Sequence, residues 1–361
     1  MYIHSTQEIP IIGAGPSGLF AAVRLKDHGF NPIVYEAKSG VGLRFHGDFQ
    51  GLENWSTSWN PIQLLKENGV EVTFCCVPSF GGIFYGPNKI PQKISTNDPM
   101  YYLIRRGNFP DTLDTSLLNQ VLERNIPVNF NHRIKSIPKG AIVSEGPRNF
   151  NMIAKGFVFE TTHANTAIGL VNDNLAPKGY IYLLIDNGLA TFSTVIYEDF
   201  KNIDRYAEKS WKEIQQLASL NDIKNLKSFG GFGNSHLSRK PFPDQYFPVG
   251  EAAGYQDYLF GFGIKFALIS SYYATEAIIK NQSYERLAQQ YIDPVHQVSI
   301  VNRFLFEKLR NPGYNLIMGK VGLSRNPLFR LQQQFRYNIF KQMIYPFAVN
   351  AFIDKLERIK S

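Results

Sequence analysis

The stretch from Ile9 to Leu19, with the sequence IPIIGAGPSGL, decides the fold of this chain. A short apolar run ends in a Gly-x-Gly-x-x-Gly turn, a helix-like run follows to Leu25, and the next strand-like run, PIVYE, ends in Glu36. In such a turn the first glycine allows the sharp bend, the second lets the backbone approach a pyrophosphate, and the third lets the helix pack on the strand. These glycines are Gly13, Gly15 and Gly18.

Two further features of this stretch fit a dinucleotide. Pro16 and Ser17 begin the helix, whose N-terminal N–H groups and positive dipole end favour an anion. Glu36 stands about twenty residues past the turn, where an acidic side chain accepts hydrogen bonds from ribose hydroxyls. A turn whose glycines serve only packing would leave Glu36 as a coincidence. The stretch therefore predicts a site for an ADP-containing dinucleotide, FAD or NAD(P), without choosing between them.

The composition is that of a globular protein with an anionic partner. The 361 residues are 44% hydrophobic and 14% aromatic, enough for a sizeable core in one large domain or in two to three interleaved ones. The formal net charge of +8 favours a phosphorylated substrate, an acidic membrane surface or nucleic acid. No nucleic-acid motif accompanies the charge, so nucleic acid is not the expected partner.

The expected location follows from what the sequence lacks. The first ten residues are mostly polar and no run of about eighteen apolar residues exists, so we expect a cytoplasmic protein without a signal peptide or a membrane-spanning helix. Cys75 and Cys76 are adjacent, which predicts free thiols in a reducing compartment. The histidines and cysteines show no metal-ligand spacing, so no metal site is expected.

A second glycine-rich region lies between residues 246 and 280. It contains Gly250-Glu-Ala-Ala-Gly254 and then Gly261-Phe-Gly263-Ile264, before a long helix predicted to end near Ile279. A helix that begins here can meet an anionic or electron-rich part of a cofactor, although glycine turns also simply begin helices. Between the two regions, periodicity predicts strands at 70–77, 152–162, 179–185 and 190–196, and helices at 113–124 and 204–220.

The C-terminal stretch from Lys320 is helical by periodicity and strongly basic. It carries eight Lys or Arg residues against Asp354 and Glu357, with aromatic residues between the charges. This composition suits an interfacial helix on an anionic membrane through residues 325–361. It also suits a helix that packs its apolar side on the protein and solvates its charges. Both interpretations stay open, with the second preferred.

With both glycine-rich regions placed, the sequence resembles the FAD-dependent oxidoreductases of the para-hydroxybenzoate hydroxylase superfamily, and within it the geranylgeranyl reductase family. The resemblance covers residues 9–280 in order. It implies an α/β fold (α+β overall), with a Rossmann-like FAD-binding domain, an inserted antiparallel β-sheet substrate domain and a helical C-terminal segment. The implied domains are 1–70, 101–160 and 228–285 for FAD, 71–100 and 161–227 for the substrate, and 286–361 for the helical segment.

The resemblance also implies which residues hold FAD. The adenosine half would contact the first glycine turn, with Pro16 and Ser17, and Glu36. The middle of the cofactor would contact Arg44 and Arg106, and the ribityl chain and flavin ring would lie along Gly250, Glu251, Gly261, Gly263 and Ile264. The family has Asp where Glu251 stands, and the superfamily has an Asp-Gly motif where Lys155-Gly156 stands. A simple NADPH-dependent hydroxylase is therefore less well matched, and the halogenase signature Trp-x-Trp-x-Ile-Pro is not present.

The run Gly179–Gly188 is similar to the family's Tyr-x-Trp-x-Phe-Pro-x-Gly motif, with Tyr182 in place of the Trp and Leu184 in place of the Phe. Independently, the alternation of Tyr180, Tyr182 and Leu184 predicts an aromatic and aliphatic face on one side of a sheet. Such a face would suit an apolar substrate, and it would equally suit core packing.

The expected activity is the reduction of a carbon–carbon double bond in an apolar, isoprenoid or lipid-like substrate by hydride from reduced FAD. A phosphate head group on that substrate would match the basic charge, and NAD(P)H or a ferredoxin-type carrier would supply electrons. Tyr180, Tyr182, Tyr255 and His46 are candidate proton donors, although a structural role is preferred for each. A flavin-dependent monooxygenase of an aromatic or lipophilic substrate is the alternative. A flavin- or lipid-binding protein without activity is the third hypothesis.

Overall fold

Three sheets organise the part of the chain that the structure describes. The structure, a computed structural model, describes residues 7–146, 150–233 and 245–360, without the side chains of 354 and 356–360. Its strands are, in chain order, β1 (Glu8–Ile12), β2 (Asn31–Tyr35), β3 (Phe49–Glu53), β4 (Cys76–Ser79), β5 (Gly81–Tyr85), β6 (Pro91–Ser95), β7 (Tyr101–Arg105), β8 (Val128–Asn129), β9 (Ile142–Val143), β10 (Met152–Glu160), β11 (Thr166–Leu170), β12 (Tyr180–Asp186), β13 (Leu189–Ile196), β14 (Lys224–Gly233) and β15 (Phe247–Pro248).

The helices lie between these strands and in the C-terminal third. They are α1 (Pro16–Asp27), α2 (Pro61–Glu67), α3 (Leu113–Glu123), α4 (Ile203–Ala218), α5 (Ile264–Ile279), α6 (Tyr284–Tyr291), α7 (Asp293–Gly322), α8 (Pro327–Gln334) and α9 (Ile339–Lys360). Helix α7 bends at Arg310, whose φ is 52°, two residues before Pro312 removes a backbone donor. None of the helices in the described ranges is both long and apolar enough to cross a bilayer.

The first sheet is parallel and carries the first glycine turn. Its order is β15-β9-β1-β2-β8, so β1 and β2 lie side by side with Ile12 opposite Tyr35. Helices α1 and α5 cover this sheet, and their apolar residues, such as Leu19 and Leu268, are fully buried with it. The predicted Rossmann-like arrangement is confirmed.

The second sheet is largely antiparallel, with the order β14-β10-β13-β12-β11-β5-β6, and only β11 and β5 pair in parallel. One face packs on helix α4, where Phe192 and Ile214 are fully buried. The other face turns towards strand β3, where the Phe49 N–H donates to Thr191 Oγ1 at 2.8 Å. The third sheet, β3-β7-β4, is antiparallel and contains Phe49.

Two sequence expectations require correction. The predicted strand at 70–77 is wrong, because the strand begins only at Cys76. Instead, the Gln120 side chain of α3 forms hydrogen bonds with the backbone of Glu71. Its Oε1 accepts from the Glu71 N–H at 2.8 Å, and its Nε2 donates to the Glu71 carbonyl at 2.9 Å. Strand β10, inside the predicted FAD-binding range 101–160, pairs with β13 and β14 in the second sheet.

The remaining element predictions agree with the structure. The predicted strands at 152–162, 179–185 and 190–196 correspond to β10, β12 and β13, and the predicted helices correspond to α3, α4 and α5. Cys75 and Cys76 are free thiols, as predicted. Burial raises the pKa of Cys76 to about 12, which makes it a poor nucleophile at neutral pH.

Candidate functional site

Two of the three N-terminal glycines are required by the protein's own packing. Gly13 has a φ of +105°, and a Cβ there would lie 2.6 Å from the Ser144 carbonyl oxygen. A Cβ at Gly18 would overlap the carbonyl oxygen of Gly13. Helix α1 can therefore approach β1 and the end of β9 only because both residues lack a side chain.

Gly15 differs from Gly13 and Gly18 because packing within the described protein does not explain why a glycine stands there. It is the N-cap of α1, with φ −80° and ψ 176°, a conformation that any residue adopts. Among the residues that the structure describes, none would lie within 4 Å of a Cβ at this position, and none caps the helix with its side chain. The space in front of a bare helix N-terminus is suited to an anionic group in close contact with the backbone. The residues present thus fit the pyrophosphate of a dinucleotide.

The Glu36 carboxylate is fixed beside this space. It accepts hydrogen bonds from the Ala14 N–H and the Lys38 N–H, both at 2.8 Å. The carboxylate therefore lies next to the first glycine turn, as the spacing predicts. A ribose hydroxyl is the dinucleotide group that this position matches.

The structure brings the second glycine-rich region to the first. Helix α5 packs on α1, with Ser271 Oγ donating to the Ser17 carbonyl at 2.7 Å. A Cβ on Gly250, whose φ is +55°, would lie 3.4 Å from Ser17 Oγ. The Gly250 N–H donates to Ser270 Oγ at 2.9 Å, which fixes this turn on α5. The two regions therefore form one continuous wall.

Glu251 and Arg44 face each other beside this wall. An Arg44 nitrogen lies 3.7 Å from Glu251 Oε2, and the arginine side chain is 51% exposed. Burial raises the pKa of Glu251, and the positive charges of Arg44 and Arg106 oppose that rise. An exposed guanidinium beside a buried carboxyl can pair with a phosphate or a polar chain between them.

Arg106 is held differently from Arg44. It is only 6% exposed, and its Nε and Nη2 donate to the Asp114 carboxylate at 2.8 Å each. A third nitrogen donates to Gln50 Oε1 at 3.3 Å. The Gly107 N–H also donates to Asp114, at 2.9 Å. These bonds hold the loop after β7, and the predicted contact of Arg106 with a cofactor stays a prediction.

The turn Gly261–Ile264 is built around a buried acid that the sequence analysis missed. Asp257 Oδ1 accepts from the Leu259 N–H at 3.1 Å, and Oδ2 accepts from the Phe260 N–H at 2.9 Å. Burial raises the pKa of Asp257 to about 7, against the two hydrogen bonds that lower it. Gly261 needs its glycine, with φ +77° and a would-be Cβ 2.6 Å from Met152 Sδ.

A buried lysine lies directly after this turn. Lys265 is 1% exposed, with its Nζ 3.7 Å from Glu53 Oε2 and 3.3 Å from the Thr57 carbonyl oxygen. Burial lowers the pKa of Lys265, and the Glu53 carboxylate opposes that effect. A single lysine within an apolar helix gives no sequence pattern from which this buried pair could be predicted.

The C-terminal helices also hold the turn. Arg303 of α7 donates to the Leu259 carbonyl at 3.1 Å and to the Lys178 carbonyl. Its guanidinium lies 3.5 Å from the centre of the Tyr197 ring. This arginine connects the turn, the start of β12 and the helical segment, so the site depends on parts of all three predicted domains.

The predicted apolar face lies opposite the turn. Tyr180, Tyr182 and Leu184 share one side of β12, and the Tyr180 hydroxyl donates to the Phe260 carbonyl. Burial raises the pKa of Tyr180 and of Tyr182, so both phenols stay protonated at neutral pH. The Tyr180 hydroxyl is therefore engaged within the protein, and the Tyr180 and Tyr182 rings stack with their centroids 6.2 Å apart.

The other two candidate proton donors lie elsewhere. His46 lines an open groove of about 710 Å³ between the loop after β2 and the edge of the second sheet, together with Lys155, Asp204 and the stretch Phe229–Phe232. Lys155 forms an ion pair with Asp204 there. The Tyr255 hydroxyl donates to Asp293 at 2.8 Å, which indicates a structural role.

Comparisons with known proteins agree with this geometry. Residues 11–50 match the NAD(P)-binding Rossmann-like domain family. A search of curated proteins finds no match. Among solved structures, a geranylgeranyl bacteriochlorophyll reductase-like protein from Thermoplasma acidophilum is similar, with a TM-score of 0.67 and 16% identity over 97% of this chain and 99% of that chain.

Two further solved structures are similar over nearly the whole chain. The flavin-dependent brominase Bmp2 has a TM-score of 0.65 at 15% identity, covering 97% of this chain and 100% of its own. The p-nitrophenol 4-monooxygenase PnpA from Pseudomonas putida has a TM-score of 0.58 at 14% identity, covering 98% and 99%. At these identities the likeness concerns the fold. The predicted resemblance is confirmed at that level: the chain shares the fold of these three structures over nearly its whole length.

Proposed function

We propose that the protein is an FAD-dependent oxidoreductase. The observation that carries the proposal is the open space at Gly15, where a Cβ on this unstrained residue would meet no atom of the described residues at the N-terminus of α1. Glu36 beside it matches a ribose, and the second glycine wall extends the site towards the apolar face of β12. The first half matches the ADP part that FAD and NAD(P) share, so the choice of FAD follows the resemblance to FAD-dependent oxidoreductases described above.

The residues that would hold FAD are those that the structure brings together. The pyrophosphate would rest on Gly15 and the first turn of α1, and the ribose on Glu36. Arg44 and Glu251 stand where the middle of the cofactor would pass. The turn Gly261–Ile264, fixed by Asp257 and Arg303, begins α5 and directs its positive dipole end to the ring.

The finer proposal is that FAD, once bound and reduced by the electron donor, would supply hydride to a carbon–carbon double bond of an apolar substrate. Tyr180, Tyr182 and Leu184 form an apolar wall that excludes water from the space in front of it. The Tyr182 hydroxyl remains protonated and can hydrogen-bond to a substrate or pass on a solvent proton. A phosphate head group would suit the basic surface. The similar reductase-like structure supports this assignment.

A monooxygenase is the second candidate, because PnpA shares the fold over nearly its whole length. In that case the substrate would be aromatic or lipophilic and molecular oxygen would be a co-substrate. The same apolar wall would serve both reactions, so the wall alone does not separate them.

The first experiment is the visible absorbance spectrum of the purified protein without oxygen, before and after NADPH. A flavin band that NADPH bleaches supports FAD and identifies a nicotinamide donor. A band that only dithionite bleaches supports FAD and indicates a ferredoxin-type donor. If no band stays with the protein after FAD is added and the unbound flavin is removed by gel filtration, the proposal is wrong.

A second experiment separates the two reactions. The reduced protein is mixed anaerobically with geranylgeranylated and other isoprenoid alkenes, and the return of the flavin band is followed together with product mass. A gain of two hydrogens without oxygen supports the reductase. Turnover that requires oxygen and adds one oxygen atom to the product supports the monooxygenase.

A further inference from the structure

We propose that the start of helix α9, with the loop before it, is a docking surface for an anionic membrane. Four apolar side chains lie on one side of α9, at positions 339, 340, 343 and 347, and this set is called the α9 stripe. The exposed fractions are 76% for Ile339, 62% for Phe340, 68% for Met343 and 69% for Phe347. Contiguous apolar exposure of this extent marks an interaction surface.

The stripe is not needed for the fold. The opposite side of α9 carries Ala348, Val349 and Phe352, which are buried in one cluster with Ile300 and Val301 of α7. This buried face fixes the position of the helix on the protein. The helix is therefore apolar on two sides, and the fold accounts for only one of them.

The charge around the α9 stripe favours an anionic lipid surface over a second copy of the chain. Between Glu307 and Asp354 the sequence contains no acidic residue and seven basic ones. Six are Lys308, Arg310, Lys320, Arg325, Arg330 and Arg336; the seventh, Lys341, is buried with its Nζ donating to the Gln334 carbonyl and adds no surface charge. Arg330 and Arg336 are exposed just before the stripe. A second copy of the chain would bring like charges together, whereas an anionic lipid surface would neutralise them.

The exposed apolar area of the stripe indicates how it would contact a membrane. The two exposed phenylalanines leave roughly 250 Å² uncovered, since an aromatic side chain spans about 150–250 Å². Tyr337, which is 45% exposed, lies in the loop just before α9. An apolar stripe with neighbouring aromatic and basic residues suits a helix that lies in the membrane interface. This inference does not depend on the cofactor or on the reaction.

The test is flotation of the full-length protein with phosphatidylcholine vesicles, with and without phosphatidylglycerol. Phe340→Gln with Phe347→Gln should lower the partition coefficient at least about tenfold, given the apolar area removed. Leu122→Gln with Leu226→Gln is the matched control, since these side chains are 49% and 46% exposed elsewhere. Arg330→Gln with Arg336→Gln should weaken binding only to the anionic vesicles.

Circular dichroism and gel filtration on each variant check that the fold and the oligomeric state are unchanged. Binding that both pairs of substitutions reduce, with the control unaffected, supports the proposal. Flotation that the stripe variant leaves unchanged overturns it. Loss of a dimer instead of loss of flotation also overturns it, and assigns the stripe to a second copy of the chain.

Discussion

A substitution at Gly15 separates cofactor binding from folding, and Gly13 provides the matched comparison two residues away. The change is Gly15→Val in one protein and Gly13→Ala in the other. A side chain at Gly15 would have no protein neighbour within 4 Å and an ordinary extended backbone. A side chain at Gly13 would have a φ of +105° and a carbonyl oxygen 2.6 Å away.

The folding cost follows from these values. Valine at an N-cap costs about 1 kcal/mol or less relative to glycine, so the apoprotein should lose at most about 2–4 °C in Tm. Alanine at Gly13 adds left-handed strain of about 1–2 kcal/mol to an overlap that costs about 1–3 kcal/mol. The free energy of unfolding should therefore fall by about 2–5 kcal/mol in Gly13→Ala.

For FAD binding, we expect Gly15→Val to have the larger effect. The valine side chain fills the space that we assign to the pyrophosphate and moves it away from the N–H groups of α1. Losing one charge-assisted hydrogen bond costs about 1.5–3 kcal/mol. The Kd for FAD should therefore rise about 10- to 150-fold in Gly15→Val.

The assay is a titration of apoprotein with FAD by flavin fluorescence, alongside thermal unfolding of the same apoprotein. The expected result is a stable Gly15→Val protein that binds FAD weakly and an unstable Gly13→Ala protein. A Gly15→Val protein that binds FAD as tightly as the unaltered chain would refute the assignment of the open space. Strong destabilisation by Gly15→Val would refute the geometry itself.

Three further predictions concern residues around the site. Glu36→Ala should raise the Kd for FAD about tenfold or more in the same titration, because a charged acceptor is lost; an unchanged Kd contradicts its role at the ribose. Lys265→Met should lower the free energy of unfolding in urea by about 3–5 kcal/mol, since it leaves Glu53 buried and unpaired. Adding Glu53→Gln should recover part of that loss, and no recovery contradicts the pairing. For Asp257, the folded pKa of about 7 exceeds the ordinary 3.8, so its stabilising effect is complete below pH 3.8 and is lost as pH rises through 7. The loss in the free energy of unfolding is about 4 kcal/mol. Urea titrations between pH 4 and 8 should show this loss in the unaltered protein and not in Asp257→Asn, which lacks the titrating carboxyl. Equal dependence of the free energy of unfolding on pH in the two proteins would contradict the raised pKa.

The sequence by itself determined the local part of the site. The spacing of Gly13, Gly15, Gly18 and Glu36 is set by two strands, one glycine turn and one helix, all within thirty residues. Such short-range geometry follows from backbone sterics and hydrogen bonding, which sequence patterns record directly. The alternation of Tyr180, Tyr182 and Leu184 likewise predicted their common face.

Only the tertiary structure decided how distant parts meet. The contact of Gly250 with Ser17, the burial of Asp257 and Lys265, and the connection through Arg303 depend on packing between segments that are distant in the sequence. The predicted strand at 70–77 was wrong for the same reason, since the amide of Gln120 satisfies the backbone there. Long-range contacts of single polar side chains leave no periodic pattern in the sequence, so their physical environment is fixed only when the sheets and helices pack.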